Sequence, residues 1–332
     1  MPVLPSPPLP AGLRLRTGSW DDLDAVADLL AAASRSRIGA VTTRREDLRL
    51  RWLGLASLDA VTLVEDPAAV PSLVAYAAED VLEDPFTGLL ELHIDAQVHP
   101  AHVGRGAATF LLGRAARHAA SAAADVGLPE ATLRTSLVDG DAQARRFFDR
   151  RGFAAVRHLL ELRLDLHAPP PRPTWPTGVT VRSVDASEDV HTIWRAHQAA
   201  FADVATHDPL DLDGFTATRL ERNGAIDPSL SWLAEHDGEV VGFALCRAGT
   251  GVAEEDGWVR DLGVIPAWRR HGVGMALLRT AFAGFRSHGL TGVALEVDDV
   301  TLEGAVALYR RAGMRIVRRT DVLERTVEVE GR

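Results

Sequence analysis

The stretch GVIPAWRRHGVGMALL, residues 263–278, carries a proline, a basic triplet, two glycines one residue apart and then an apolar run. Upstream, QVHPAHVGRGAATFLL, residues 97–112, repeats the order of proline, histidine, glycines and apolar run. In the second copy a strand ends at Val264 and Ile265, Pro266 blocks further ladder pairing, and helical spacing starts near Arg270. Between strand and helix, the backbone N–H groups of Arg269, Arg270, His271, Gly272, Val273 and Gly274 converge on a helix N-terminus. The glycines lack a Cβ, so an anion reaches the main chain, and the aligned peptide dipoles favour a diphosphate there.

Spacing separates the kinds of phosphate loop. A P-loop needs a lysine after its last glycine, and this chain has no lysine at all. The same absence removes Schiff-base chemistry. A dinucleotide fingerprint needs glycine or alanine three residues after the second glycine, where this chain has Leu277, and no early βαβ unit precedes it. What remains is an acyl-CoA pattern. The combination of V-x-P, R-R-x-G-x-G and a following LL resembles the GNAT acetyltransferase superfamily. A second signature of that family, A-x-x-L-Y-x-x-x-G-[FM], is matched by AVALYRRAGM at 305–314. The resemblance covers both halves. It implies an α/β (α+β) chain of two tandem GNAT domains, each a mixed, mostly antiparallel sheet flanked by helices. The two-domain arrangement also resembles the mycothiol synthase family of actinobacterial proteins.

The resemblance implies roles for individual residues. Backbone groups of Leu262, Gly263 and Val264 would pair with the pantetheine arm and acetyl carbonyl of acetyl-CoA, like an added strand. The amides of Arg269 to Gly274 would hold the diphosphate, and an N–H near Val264 would stabilise the oxyanion. Tyr309 would give a proton or hydrogen bond to the departing thiolate. A phenol of pKa about 10 is protonated at neutral pH, yet full transfer to a thiolate of pKa about 8.5 runs uphill by roughly 2 kcal/mol. A hydrogen bond to the sulfur therefore serves as well as full transfer. A base is wanted for the acceptor ammonium, and Asp261, five residues before Pro266, is the candidate. Asp95 holds the same place in the first half, so a structural role fits both. Two departures stand out. The mycothiol synthase family has a glutamate eight residues before the motif proline, where this chain has Trp258. The family's asparagine ahead of A-x-x-L-Y is also missing, with Thr301 and Leu302 nearby.

The first copy has lost chemistry. Aligned on Pro100 and Pro266, Val103 replaces Arg269, followed by Gly104, Arg105, Gly106, Ala107 and Ala108. Val98, Arg105, Gly106, Ala107 and Ala108 could still hold an acyl-CoA. Aligned on Gly152 and Gly313, however, Phe148 replaces Tyr309, and a phenyl ring has no proton to give. The expected function is an acetyl-CoA-dependent N-acetyltransferase acting on a primary amine of a small molecule, with catalysis in the C-terminal half. A mycothiol synthase-like acetyltransferase is the narrower alternative, and a non-catalytic acyl-CoA sensor is the alternative outside enzymes.

Composition agrees with that frame. At 332 residues, two domains are expected. The proline-rich segment HAPPPRPTWPTG, 167–178, reads as a stiff linker, giving domains at 1–167 and 177–332 joined through 168–176. A net charge of −10 argues against nucleic-acid backbones as partners. Cys246, the sole cysteine, lies in an apolar run and reads as a buried thiol. No stretch reads as a signal peptide or membrane span, so the cytoplasm is the expected location. In the second half, strands are expected near 230–236, 239–247, 257–265 and 291–298, and helices near 270–288 and 302–312. His236, Asp237 and Gly238 form a hairpin turn, and Ser19 and Asp185 serve as helix caps. No metal site is expected: His93, His99 and His102 span a strand end and a loop, and His191 and His197 fall on different helix faces. The acidic segment around Asp203, His207, Asp208, Asp211 and Asp213 reads as a solvated loop, with reception of a cationic amine as the alternative, and Glu254, Glu255 and Asp256 read as an acidic strand start.

Overall fold

A computed structural model of the chain describes residues 7–83, 88–204, 210–221, 226–249, 255–298 and 303–329. His207, Asp208, Glu254, Thr301 and Leu302 lie outside the described residues. The elements of the first half are β1 (Arg14–Thr17), α1 (Leu23–Ile38), α2 (Arg45–Gly54), β2 (Val61–Glu65) and β3 (Leu73–Glu83). They continue with β4 (Leu90–Val98), α3 (Ala107–Asp125), β5 (Glu130–Val138), α4 (Ala142–Asp149) and β6 (Ala154–Asp165). The second half repeats the order: β7 (Val179–Ser183), α5 (Val190–Phe201), α6 (Leu212–Phe215), β8 (Trp232–His236) and β9 (Glu239–Ala248). It ends with β10 (Asp256–Val264), α7 (Val273–Ser287), β11 (Gly292–Asp298), α8 (Glu303–Arg311) and β12 (Arg315–Glu328).

The chain forms two compact units, and they differ from the division read at the proline-rich segment. One comprises residues 1–157 with 320–332, the other residues 158–319. Strand pairing gives the reason. The terminal strand β12 runs antiparallel to β5 from Thr320↔Val138 to Glu328↔Glu130, so it completes the first unit's sheet. Strand β6, assigned by linear reading to the first half, pairs antiparallel with β11 from Leu159↔Asp298 to Asp165↔Gly292. Each sheet thus takes one strand from beyond the linker. No helix or strand forms between Asp165 and Val179, but Trp175 packs on the second unit's core.

Within the second unit β7, β8, β9 and β10 form an antiparallel series. The β8–β9 turn has positive φ at both Asp237 (51°) and Gly238 (81°), the twist a two-residue hairpin needs. Helix α7 covers one face because its apolar residues recur every three or four positions. Val273, Ala276, Leu277, Ala281, Phe282 and Phe285 are all buried. Full burial of each large side chain contributes about 1.5–3 kcal/mol. The other face is covered by α5 through Ile193, Ala196 and Ala200, together with Phe215. Asp185 proves to hold Ser187 in a turn; the residue before α5 is Asp189, bound to Arg182 at 2.6 and 2.8 Å. Ser19 likewise opens a short 3-10 turn, Trp20–Asp22, rather than α1 itself.

Candidate functional site

Strands β10 and β11 run parallel and pair only from Asp256↔Gly292 to Trp258↔Ala294. Beyond that point residues of both strands line a cavity of about 1070 Å³, among them Leu262, Gly263 and Val264 on one side and Glu296 and Asp298 on the other. A bulge at Arg260 interrupts the β9–β10 ladder just before this segment. Ile265 N–H donates to Val241 on β9, so strand alternation turns the main-chain groups of Val264 and Leu262 towards the open edge. The Val264 carbonyl accepts from Arg269 Nε at 3.2 Å. Gly263 has to be glycine, because a Cβ there would lie 2.2 Å from Phe243 Cζ.

The loop after β10 is a 3-10 turn, Pro266–Trp268, followed by Arg270 at φ 67° and Gly272 at φ 91°. Helix α7 starts at Val273, three residues later than its periodicity suggests, so Arg270 to Gly272 belong to the loop. The N–H groups of Val273, Gly274 and Met275 form the helix's first turn and have no intrahelical acceptor. Gly272 and Gly274 line the cavity. Main-chain donors of this kind at a helix start are able to receive an anion.

Its basic side chains are not equivalent. Arg269 turns to the end of α5, where it binds Asp203 at 2.6 and 2.8 Å and the Ala200 carbonyl at 2.8 Å. The His271 ring folds back on the Arg269 carbonyl at 2.8 Å. Arg270 is exposed and borders the cavity, as does Arg311 on α8, which the motif reading did not single out.

Tyr309 on α8 is buried and lines the same cavity. Burial pushes its phenol well above the ordinary value, and the charge of Asp261 adds to the shift, so the hydroxyl stays protonated. Asp261 also lines the cavity. His197 Nε2 lies 3.7 Å from it, Arg219 Nε 3.5 Å and Arg260 Nε 3.7 Å. Burial pushes its carboxyl up, but His197, Arg219 and Arg260 together outweigh that and hold it below the usual range. None of these three partners belongs to the motifs in the sequence. His197 carried a signal, since it shares the apolar spacing of Ile193, Ala196 and Ala200; its ring is enclosed by Phe201, Phe215 and Phe243.

The first unit keeps the backbone of this site, β4 and β5 pairing only from Leu90↔Ala131 to His93↔Arg134, but its side chains are engaged differently. Gly104 and Gly106 both have φ 87°, so Gly104 adopts the left-handed conformation that Arg270 adopts in the second unit. Arg105 is held by Asp66 at 2.7 Å and by His102 at 3.0 Å. Ala107 is buried as the first residue of α3, Ala108 follows it, and Val98 ends β4. A Cβ on Gly106 would lie 3.2 Å from Pro10, so the N-terminal segment sits over the loop. Phe148 packs edge-on against Phe147 and Phe153. Asp95 is paired with Arg51 on α2, as Asp261 is with Arg219. His93 is bound to Glu91 at 3.0 Å. Among the described residues no three His, Cys, Asp or Glu side chains group as metal ligands.

A profile of the acetyltransferase (GNAT) family matches residues 190–314, which run from α5 through the Tyr309 helix. A mycothiol acetyltransferase of Streptomyces coelicolor is 30% identical over 314 residues, covering 92% of each chain. The chain belongs to the GNAT acetyltransferase family. A second mycothiol acetyltransferase, from Frankia alni, is 31% identical to this acetyltransferase over 88% of both chains. Among solved structures, a GCN5-related N-acetyltransferase from Sphaerobacter thermophilus superposes with a TM-score of 0.80 at 27% identity, covering 97% of this chain and 98% of that one. A tandem GNAT protein from the clavulanic acid biosynthesis pathway shares the fold, with a TM-score of 0.66 at 17% identity over 96% of this chain and 99% of that one. The protein is therefore an N-acetyltransferase of tandem GNAT architecture. No described helix is long and apolar enough to cross a membrane.

Proposed function

We propose that this acetyltransferase moves the acetyl group of acetyl-CoA to the cysteinyl amine of a cysteinyl glucosaminyl-inositol, in the second unit and in the cytoplasm. The observation that carries the acceptor is the relation to mycothiol acetyltransferases along nearly the whole of both chains. The cavity supports the chemistry. Val264 and Leu262 offer main-chain groups along the open edge of β10, and the first turn of α7 receives the diphosphate. Val264 N–H meets the thioester oxygen as it becomes an oxyanion. Tyr309, kept protonated by its burial and by Asp261, donates a hydrogen bond to the sulfur as the C–S bond breaks. Asp261 serves this site as a charge anchor between β10, α5 and Arg219, since a carboxylate held down by a hydrogen bond from His197 and by two arginines is a weak base. The acidic lining, with Glu296 and Asp298, suits an acceptor that arrives as an ammonium.

The test supplies acetyl-CoA with the cysteinyl conjugate, with the same glucosaminyl-inositol lacking cysteine, and with a panel of simple amines. Mass spectrometry of the products separates N-acetylation from acetylation at the acceptor's own thiol. The reading expects kcat/KM for the cysteinyl conjugate to exceed every other amine by about 100-fold or more, the discrimination a site gains when its polar groups are matched. Equal turnover across the panel overturns it.

A further inference from the structure

Glu296 has no part in the family signatures, yet it lies on β11 across the opened edge from Leu262, Gly263 and Val264, in the cavity that holds Tyr309. Its cross-strand partner on β6 is another carboxylate, Glu161. Like charges directly opposite on one sheet face repel. The pair is resolved unequally: Arg318 forms an ion pair with Glu161, which is buried, while Glu296 is open to the cavity. Although Glu296 is exposed to the cavity, the protein around it displaces bulk water and raises its carboxyl above the usual range; Arg318 opposes the shift and Glu161 adds to it.

The duplicated fold supplies an internal comparison. Val98 pairs with Ala75 as Val264 pairs with Gly242, which fixes the correspondence of β4 with β10. The extra residue at Arg260 then sets Asp256 against Glu91, and these two pair with Gly292 and Thr132. Four residues further along each strand stand Glu296 and Ser136, both exposed. The unit with Phe148 in place of Tyr309 thus also has serine in place of Glu296. It keeps the aspartate: Asp95, with Arg51, corresponds to Asp261, with Arg219. The proton-handling groups differ together between the units, whereas the structural pair is common to both.

We propose that Glu296 is the general base of the acetyl transfer and the residue that receives the acceptor's ammonium group. This rests on the acetyl transfer taking place in the second unit. The carboxylate of Glu296 takes one proton from the R–NH3+ group, directly or through one water. The nitrogen lone pair then forms the C–N bond at the thioester carbon, and the C–S electron pair leaves on sulfur. The second nitrogen proton passes to that sulfur by way of the hydrogen bond from Tyr309. Glu296 returns its proton to solvent, so the balance is amide, CoA thiol and one H+. The charged and titratable groups that share its sheet or its cavity are Glu161 on β6, Arg318 on β12, Arg260 and Asp261 on β10, Asp298 on β11, Tyr309 and Arg311 on α8, Arg269 and Arg270 in the loop before α7, and Asp203 just beyond α5.

The experiment compares wild type, Glu296→Gln and Glu296→Asp with any amine that wild type acetylates, so it does not depend on the acceptor's identity. The expected result at pH 7 is a fall in kcat/KM of about 100-fold for Glu296→Gln, with acetyl-CoA affinity unchanged and partial rescue by Glu296→Asp. The deficit narrows as pH rises above the amine's own pKa, because the acceptor then arrives neutral. A deficit under threefold, or one equal at every pH, overturns the proposal. A second measurement needs no acceptor: a carboxyl 13C titration, assigned by its loss in Glu296→Gln, places this group above the ordinary carboxylate range. Titration at the ordinary value overturns the base. If wild type acetylates no amine, it is the functional reading that fails and the base role falls with it; titration at the ordinary value overturns Glu296 whether or not an amine is found.

Discussion

Arg269 in the loop after β10 and Asp203 at the end of α5 form a two-pronged ion pair, with Nη–Oδ distances of 2.6 and 2.8 Å. An arginine expected to meet a diphosphate is thus occupied with the wall of its own loop. By charge alone, removing Asp203 would favour an anionic substrate. The geometry predicts the opposite sign. Asp203→Ala releases Arg269 from α5, loosens the loop and weakens acetyl-CoA binding by about two- to fivefold, the scale of an exposed ion pair. Titration calorimetry with acetyl-CoA checks it; tighter binding by the variant would sink the idea.

Arg270 adopts φ 67°, where an L-residue is strained and its counterpart Gly104 is not. Both Arg270→Ala and Arg270→Gly remove the guanidinium, but only the glycine relieves the backbone. Arg270→Gly should be the more stable of the two by about 1 kcal/mol in denaturant unfolding. Acetyl-CoA affinity should fall alike in both, and added salt should weaken binding less steeply in either variant than in wild type, since the lost contact is ionic.

Tyr309→Phe should lower kcat by about 100-fold at neutral pH with little change in acetyl-CoA affinity. The reciprocal change, Phe148→Tyr, should give the first unit no activity. Its loop is covered by Pro10, Arg105 is held by Asp66, and Ser136 offers no base. Steady-state kinetics of Phe148→Tyr in a Tyr309→Phe background tests both statements, and recovered turnover would refute the second.

Acid should loosen each unit at the same kind of joint. Hydrogen bonding to Arg16 outweighs burial and lowers the Asp22 carboxyl to about 2, and Arg182 lowers Asp189 in the same way. A carboxyl depressed in the folded state contributes stability above its unfolded pKa, about 4, and that contribution is lost as pH falls towards 2. Thermal unfolding between pH 6 and pH 2 should show Tm dropping mainly below about 4. The combined Arg16→Met and Arg182→Met variant should flatten that part of the curve; an unchanged acid limb argues against these pairs.

The fold and the glycine-containing loop before α7 were legible because both rest on local rules. The proline stop, the glycines and the apolar spacing of α7 located the loop, the helix and the tight turn at Asp237 and Gly238. Cys246 is buried, its thiol pushed up by burial, as its apolar surroundings imply. Contacts distant in sequence were not legible. Arg269 reaches Asp203, 66 residues away, and Arg163 holds Asp256 at 2.5 and 2.9 Å across 93 residues. Glu296 stayed hidden because its standing depends on a sheet partner, Glu161, and on the one-residue bulge at Arg260. No spacing rule within β11 records either.

The strand exchange has a consequence for the order of synthesis. Residues 320–328 leave the ribosome after the strands and helices of the second unit, yet they complete the sheet of the unit made first. Until then β5 presents an unpaired edge, open to pairing with a neighbouring nascent chain. The early-made unit must therefore wait for the late-made one, and a gene cut at the proline-rich segment would yield two fragments, each missing a strand supplied by the other.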